Sequence, residues 1–258
     1  MDRRELDPGA LVEAGLATAC GQAGPTRSLL GFDLHRIPDE HPFLRSLALP
    51  RGDPPDWAGP LDELVRVCAT LGLPPRLELL ARRRARLRAA LAAAGWVRTL
   101  AVPVLAEPVR SGARAEGGAW RLDAAAPEDR LAATLAAQHA ILGAAPPTAA
   151  ELAFFRACLA DGHVRTWVRL DESGRPVAAV SLLGGPPAVE LAGLWTRPDR
   201  RRRGLARSLA RAALAGAAET GAQLVWAGAA NGASEALLRG LGMTAIATLE
   251  SWERPAGR

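Results

Sequence analysis

The sequence predicts a mixed α+β (α/β) fold built as two modules in tandem, and three observations predict it. The second half of the chain alternates short apolar strand patterns with amphipathic helix patterns, and two of its strands are joined by a tight turn. The first half closes on a similar order of elements, 147 residues earlier. The 258 residues leave room for two parts that can each hold a core.

In the second half, residues 120–123 form a short strand. Residues 128–142 are helical, with Leu131, Leu135, His139 and Leu142 at helical spacing. Gly143 and the Pro146-Pro147 pair end that helix, and Thr148 with Glu151 makes a capping box for a second helix through Ala160. Asp161-Gly162 breaks it. Residues 164–170 alternate as a strand, Glu172-Ser173-Gly174 turns, and 177–183 form the hairpin partner. A strand over 189–196, a loop over 200–204, a helix over 205–219, a strand over 222–227, a helix over 234–241 and a strand over 244–252 follow.

In the first half, 76–80 reads as a strand, 82–93 as a helix and 97–105 as a strand. Leu77 to Gly95 spans the same distance as Leu224 to Gly242, and the helical pattern over 61–71 matches the one over 205–219. The other reading is chance similarity between Ala/Leu/Arg-rich helices. The boundary falls in 110–119, RSGARAEGGA, which lacks apolar periodicity and follows Pro103 and Pro108. The expected division is therefore 1–110, a linker at 111–119, and 120–258.

Composition narrows the function. Hydrophobic residues make up 49% and charged residues 23%, which fits a packed globule. No apolar run is long enough to cross a bilayer, and the Met1-Asp2-Arg3-Arg4-Glu5 start does not read as a secretory signal, so a cytoplasmic protein without membrane contact is expected. Cys20, Cys68 and Cys158 lie far apart and match neither a disulfide framework nor a metal spacing, so no metal is expected. The net charge is +5, every basic residue besides the four histidines is arginine, and there is no tyrosine. This bias toward few residue types makes the basic charge weak evidence for nucleic acid, and no nucleic-acid partner is expected. It also removes lysine as a nucleophile and tyrosine as a general acid.

The strongest chemical signal is the run from Leu194 to Arg207, LWTRPDRRRRGLAR. A strand enters a basic, glycine-containing turn that opens directly into an amphipathic helix. Unpaired N–H groups at a helix N-terminus, together with the helix dipole, bind phosphate readily. Gly204 lets the backbone approach an anion closely, and the arginines can pair with phosphate oxygens. The glycine spacing is neither that of a P-loop nor that of a dinucleotide fingerprint.

Arg201-x-x-Gly204-x-Ala206 resembles the Arg/Gln-x-x-Gly-x-Gly/Ala motif of the GNAT (GCN5-related N-acetyltransferase) superfamily. The strand before it, the helix after it and the next strand have the family's order. Asn231, the following helix and Leu241-Gly242-Met243 resemble its closing Asn…Leu-Gly-Phe segment. The resemblance covers about residues 120–252. It implies a twisted mixed sheet flanked by helices, in which the strands over 189–196 and 222–227 splay apart to admit acetyl-CoA. Its pyrophosphate would meet Arg201, Arg202, Arg203, Gly204, Leu205, Ala206 and Arg207. Its pantetheine amides would pair with the backbone at Leu194, Trp195 and Thr196, and Asn231 and Ser234 would contact it from the next helix. The resemblance also implies a backbone N–H at Leu194 or Trp195 for the oxyanion and Glu190 as the base. The other reading of Glu190 is a solvated hairpin-edge carboxylate. The family's usual tyrosine position corresponds to Leu238.

His139 and His163 are candidates for the acceptor side, against an ordinary structural role. Cys158 reads as core. The segment 82–88, RRRARLR, reads as a solvated helix face above Leu79, Leu80, Leu87 and Leu91, or else as a site for an acidic partner. At the repeat offset, Arg201, Gly204 and Ala206 fall on Pro54, Trp57 and Gly59, so the first half resembles a degenerate GNAT module that walls the acceptor pocket. The expected activity is acetyl transfer to a small-molecule amine by a monomer or homodimer. A protein or peptide acceptor and a non-catalytic CoA-binding module are the alternatives.

Overall fold

The computed structural model describes residues 7–39, 41, 43–110 and 119–255; residues 111–118 of the expected linker lie outside them. The first half runs α1 (Pro8–Ala23), β1 (Thr26–Ser28), β2 (Phe32–His35), β3 (Leu47–Pro50), α2 (Ala58–Leu71), β4 (Arg76–Leu80), α3 (Ala85–Ala93) and β5 (Val97–Pro108). The second half runs β6 (Trp120–Leu122), α4 (Glu128–Leu142), α5 (Ala149–Ala160), β7 (Val164–Leu170), β8 (Pro176–Leu183), β9 (Ala188–Thr196), α6 (Leu205–Gly216), β10 (Leu224–Gly228), α7 (Gly232–Arg239) and β11 (Thr244–Glu253). The repeat is present: Ala58 and Leu205 open α2 and α6, Ala85 and Gly232 open α3 and α7, and Val97 and Thr244 open β5 and β11, each pair 147 residues apart.

Among the described residues, eleven strands form one mixed sheet in the order β1-β2-β3-β4-β11-β5-β10-β9-β8-β7-β6. The two modules exchange their last strands. β11 lies between β4 and β5, and β5 lies between β11 and β10. Each half thus completes its sheet with a strand from the other.

Both faces of the sheet are covered. Every residue of β8 is buried, because α4 packs on one face and α6 on the other. Alternation along β8 sorts its side chains between two cores. Ala179 and Leu183 join the core that contains α1, α4 and α5 residues, and Ala178, Val180 and Leu182 join the core beneath α6.

Four expectations shift at the ends of elements. The helix expected over 205–219 stops as α-helix at Gly216 and tightens into a 3₁₀ turn, Ala217–Thr220. The segment expected to be helical from Arg82 begins as a 3₁₀ turn, Ala81–Arg84, and becomes α-helical at Ala85. The helix expected over 234–241 covers Gly232–Arg239. The strand expected over 97–105 passes through Pro103 and runs on to Pro108. Pro103 lies beyond the last β5–β10 pair, Val104 with Gly228, where a missing N–H leaves no ladder bond unmade; its carbonyl accepts from the Ala229 N–H at 2.8 Å. The capping box forms as expected: the Thr148 N–H donates to the Glu151 carboxylate at 2.7 Å, and the Glu151 N–H donates to Thr148 Oγ1 at 3.2 Å.

Helix α1 belongs to the first half in sequence but packs on β9 and β10. It begins at Asp7, whose carboxylate accepts from the N–H groups of Gly9 and Ala10. Small residues set the close approach: a Cβ at Gly15 would collide with the Ala188 carbonyl oxygen, and one at Gly184 would stand 3.0 Å from the Ala19 Cβ. Gly15→Ala therefore destabilises the fold by about 1–3 kcal/mol despite alanine's better helix propensity, because a backbone carbonyl cannot yield as a side chain can. Urea unfolding followed by circular dichroism and by tryptophan fluorescence checks this. The two signals are expected to move together, since α1 and the exchanged strands tie both halves into one unit.

Candidate functional site

Strands β9 and β10 pair in parallel through Ala188 with Leu224, Val189 with Val225 and Glu190 with Trp226, and the ladder between them stops there. β9 stays on β8 but carries a bulge: Ala179 faces Trp195 and Ser181 faces Ala192, so Gly193 and Leu194 share Val180. Gly193 has φ +60°, and a Cβ there would lie 2.5 Å from the Phe43 ring. Glycine is required on both counts. Where the strands part, a cleft of about 520 Å³ opens, lined by Glu190, Leu194, Trp226, Asn231, Ser234 and Leu238 among others.

Glu190 is the last residue of β9 paired with β10 and stands in the cleft. Burial, then the nearby Glu78 carboxylate, pushes its pKa up to about 8. No side chain among the described residues hydrogen-bonds or ion-pairs its carboxyl. Glu250 makes the contrast. Burial pushes its pKa up too, but hydrogen bonds from Arg88, Arg98 and Trp252 outweigh that and hold it below the usual value. Glu190 is thus held toward its protonated form, and Glu250 is held as an anion.

The basic turn keeps its anion-binding features. Arg202 has φ +60°, Gly204 has φ +77° and opens α6, and no side chain caps that N-terminus. Arg201, Arg202, Arg203 and Gly204 are exposed. Arg201 Nε donates to the Thr196 carbonyl at 3.2 Å and Arg207 to the Gly240 carbonyl at 3.3 Å, which ties the turn to β9 and to the end of α7. Leu205 and Ala206 form the first turn of α6.

Of the other expected site residues, Leu194, Asn231 and Ser234 line the cleft with Glu190. Asn231 and Ser234 also cap α7 reciprocally: Asn231 Oδ1 accepts from the Ser234 N–H, and the Asn231 N–H donates to Ser234 Oγ, both at 3.0 Å. Trp195 points its side chain into the core with α4 and α5, leaving only its backbone toward the parting strands, and Thr196 is half-buried at the strand end. Leu238, at the usual tyrosine position, is 3% exposed in the cleft wall.

His139 does not line the cleft. It ties down the C-terminus of α4 through the Ala145 carbonyl at 2.7 Å, and its neighbour Gln138 lines the cleft instead. His163 lies beside His41 rather than in the cleft. Cys158 is buried, as are Cys20 and Cys68. Among the described residues, no group of three or more His, Cys, Asp or Glu is placed to hold a metal ion. No helix among them is long and apolar enough to cross a membrane.

The first half supplies one wall of the cleft, and the residues that do so carried no motif. Phe43, Leu44 and Arg45 come from the segment before β3, Leu47 opens β3, and Arg76 and Glu78 come from β4. His41 sets the first segment. It is 3% exposed, its Nδ1 accepts from the N–H groups of Phe43 and Leu44, and Arg45 donates to its carbonyl. Burial, then the charges of Arg45 and His163, lowers its pKa to about 4, so it stays neutral and able to accept.

The equivalent opening in the first half is much smaller, a cavity of about 90 Å³ between α1 and the ends of β3 and β4. β3 and β4 pair only at Ala48 with Leu77. Arg84 fills the gap beyond, donating to the carbonyls of Pro50 and Gly52 while paired with Glu13. The position matching Gly204 is Trp57, 2% exposed and packed on Phe32. The segment 82–88 is not a plain solvated face: Arg83, Arg84, Arg86 and Arg88 form ion pairs with Asp7, Glu13, Asp53 and Glu250 of the same chain.

Residues 132–243 match the acetyltransferase (GNAT) family model. No curated protein matches the chain in sequence. The fold is similar to that of a GCN5-related N-acetyltransferase from Kribbella flavida, at 20% identity and a TM-score of 0.73, with 95% of each chain covered. It is also similar to a GNAT-family acetyltransferase structure from Novosphingobium aromaticivorans, at 20% identity and a TM-score of 0.58, covering 98% of this chain and 100% of that one. A tandem GNAT protein from the clavulanic acid biosynthesis pathway aligns at 15% identity and a TM-score of 0.58, covering 88% of this chain and 79% of that one.

The raised pKa of Glu190 makes stability depend on pH. Its folded pKa of about 8 lies above the ~4.3 of a free glutamate, so its contribution is full below about pH 4 and is lost as pH rises through 8. Glu190→Gln is expected to flatten the fall in Tm between pH 5 and 9, read by thermal melts in matched buffers. An unchanged slope would mean that Glu190 ionises as freely as an exposed carboxyl.

Proposed function

With a GNAT-family segment over residues 132–243 in a tandem GNAT fold, we propose that this protein moves an acetyl group from acetyl-CoA to a primary amine of a small molecule. The amine attacks directly, in a ternary complex. The coarser statement, acyl-CoA-dependent N-acetyl transfer, rests on the family match. The observation that carries direct attack by the amine is Glu190, without a side-chain partner and raised in pKa, at the point where β9 and β10 part.

The exposed turn from Arg201 through Arg207 holds the pyrophosphate, with α6 N–H groups and guanidinium groups as donors. The backbone at Leu194, Trp195 and Thr196 continues β9 beyond its last partner on β10 and accepts the pantetheine arm as an added strand. Asn231 keeps its amide NH₂ for the same arm while its oxygen caps α7. Glu190 takes a proton from the bound ammonium, the freed amine lone pair attacks the thioester carbonyl, and the Leu194 N–H at the bulge stabilises the oxyanion. The thiolate leaves without a tyrosine acid, since Leu238 holds that position; a thiol pKa of ~8.5 makes this tolerable near neutral pH. The localisation expected is cytoplasmic.

Thiol release from acetyl-CoA across a panel of amines and short peptides tests the reading. Release with small amines, falling ~10²- to 10⁴-fold in Glu190→Gln, is the expected result. Because Glu190 must be ionised to act, log kcat/KM is expected to rise with pH and level off near 8, an inflection the variant loses. Release with peptides only moves the acceptor to proteins. No release with any acceptor, while acetyl-CoA still raises Tm, identifies a non-catalytic CoA-binding module. Gly204→Val, which forces a β-branched residue to φ +77° at the helix start, is expected to weaken acetyl-CoA binding at least tenfold by calorimetry.

A further inference from the structure

The acceptor wall of the cleft is not neutral, and its charge comes from the first half. Arg76 stands on β4 and Arg45 in the segment before β3; both line the cleft that holds Glu190. Arg76 donates one NH₂ to Glu78 at 3.0 Å, but its Nε is buried with no acceptor. A buried donor left without a partner costs stability that a bound acceptor returns. Arg45 spends one nitrogen on the carbonyls of His41 and Leu44. No carboxylate among the described residues forms an ion pair with it. Leu47, Leu100 and Leu249 lie along the same cleft, so a ligand must also present an apolar body.

We propose that the acceptor is an amino-carboxylate: a small molecule whose amine meets Glu190 and whose own carboxylate is held by Arg76 and Arg45. This rests on the transferase reading above. The chemistry matches end to end. A guanidinium fork suits a carboxylate, and Arg76 and Arg45 present two guanidinium side chains on the same wall of the cleft. Glu190 lacks an intramolecular cation of its own, so the incoming ammonium supplies one and draws the carboxyl toward its ionised form. A bare amine would leave the buried Nε unsatisfied.

The test compares matched pairs. Thiol release from acetyl-CoA is measured with α-, β- and γ-amino acids bearing apolar side chains, each against its decarboxylated amine, such as leucine against isoamylamine. The carboxylate form is expected to have a kcat/KM at least tenfold higher, with the gain mainly in KM. Arg76→Gln and, separately, the exposed Arg45→Gln are expected to reduce that ratio at least fivefold. Equal or better turnover of the decarboxylated amines overturns the proposal while leaving the transferase intact, as does a ratio unmoved in both variants. A binding arm works without turnover: N-acetylleucine is expected to raise Tm in the presence of CoA where N-isoamylacetamide does not. Absence of that difference overturns the proposal even if no acceptor is turned over, and the Glu190→Gln kinetics judge the transferase separately.

Discussion

The exchange of β5 and β11 is the constraint on which the rest of the molecule depends. A sheet edge left open exposes a row of unpaired N–H and C=O groups, and each half here avoids one by borrowing its neighbour's last strand. The exchange fixes the relative placement of the halves far more tightly than a side-chain interface would. Ser251 of β11 donates to Glu78 of β4 across 173 residues of chain, inside the protein. That same β4 carries Arg76 and Glu78 into a cleft whose other side is β9. The exchange therefore sets the β4 wall of the cleft against β9.

A chain whose strong cations are all arginines handles them in two ways. Arginines near α3 neutralise acidic groups of their own chain: Arg83 and Arg84 hold Glu13, and Arg88 with Arg98 holds Glu250. Arg201, Arg202 and Arg203, in the turn before α6, stay exposed. The same split separates the two halves. Where the second half opens between β9 and β10, the first half has Arg84 across the gap, and where the second half has an open glycine at the helix start, the first has a buried tryptophan.

Much of the second half was legible in the sequence because its signals are local. The capping box at Thr148, the hairpin turn at Glu172-Ser173-Gly174 and the glycine that opens α6 each depend on neighbours within a few residues. The repeat was legible as well, since α3 and α7 keep their register. The exchange was not: no local pattern in β5 or β11 says which half each strand completes. Nor was the first-half wall of the cleft. Phe43 and Arg45 follow no periodicity, and their placement comes from His41, a buried acceptor with no motif around it. His139 drew attention as a titratable residue at helical spacing, yet the helix turns Gln138 toward the cleft. The arginines of 82–88 read as solvent-facing because their partners, Asp7, Glu13, Asp53 and Glu250, are distant in sequence.

The exchanged strands also bear on how the molecule comes into being. On the ribosome, β4 and β5 emerge long before the strand that separates them, since β11 starts at Thr244. Until then the nascent first half has a central slot with unpaired backbone on both sides, and closing it requires contacts of very high sequence separation. A message cut short before Thr244 would therefore yield a product with two naked strand edges, prone to pairing with its own kind, rather than a folded first half with a missing partner. Quality control of this protein is thus set by its last strand.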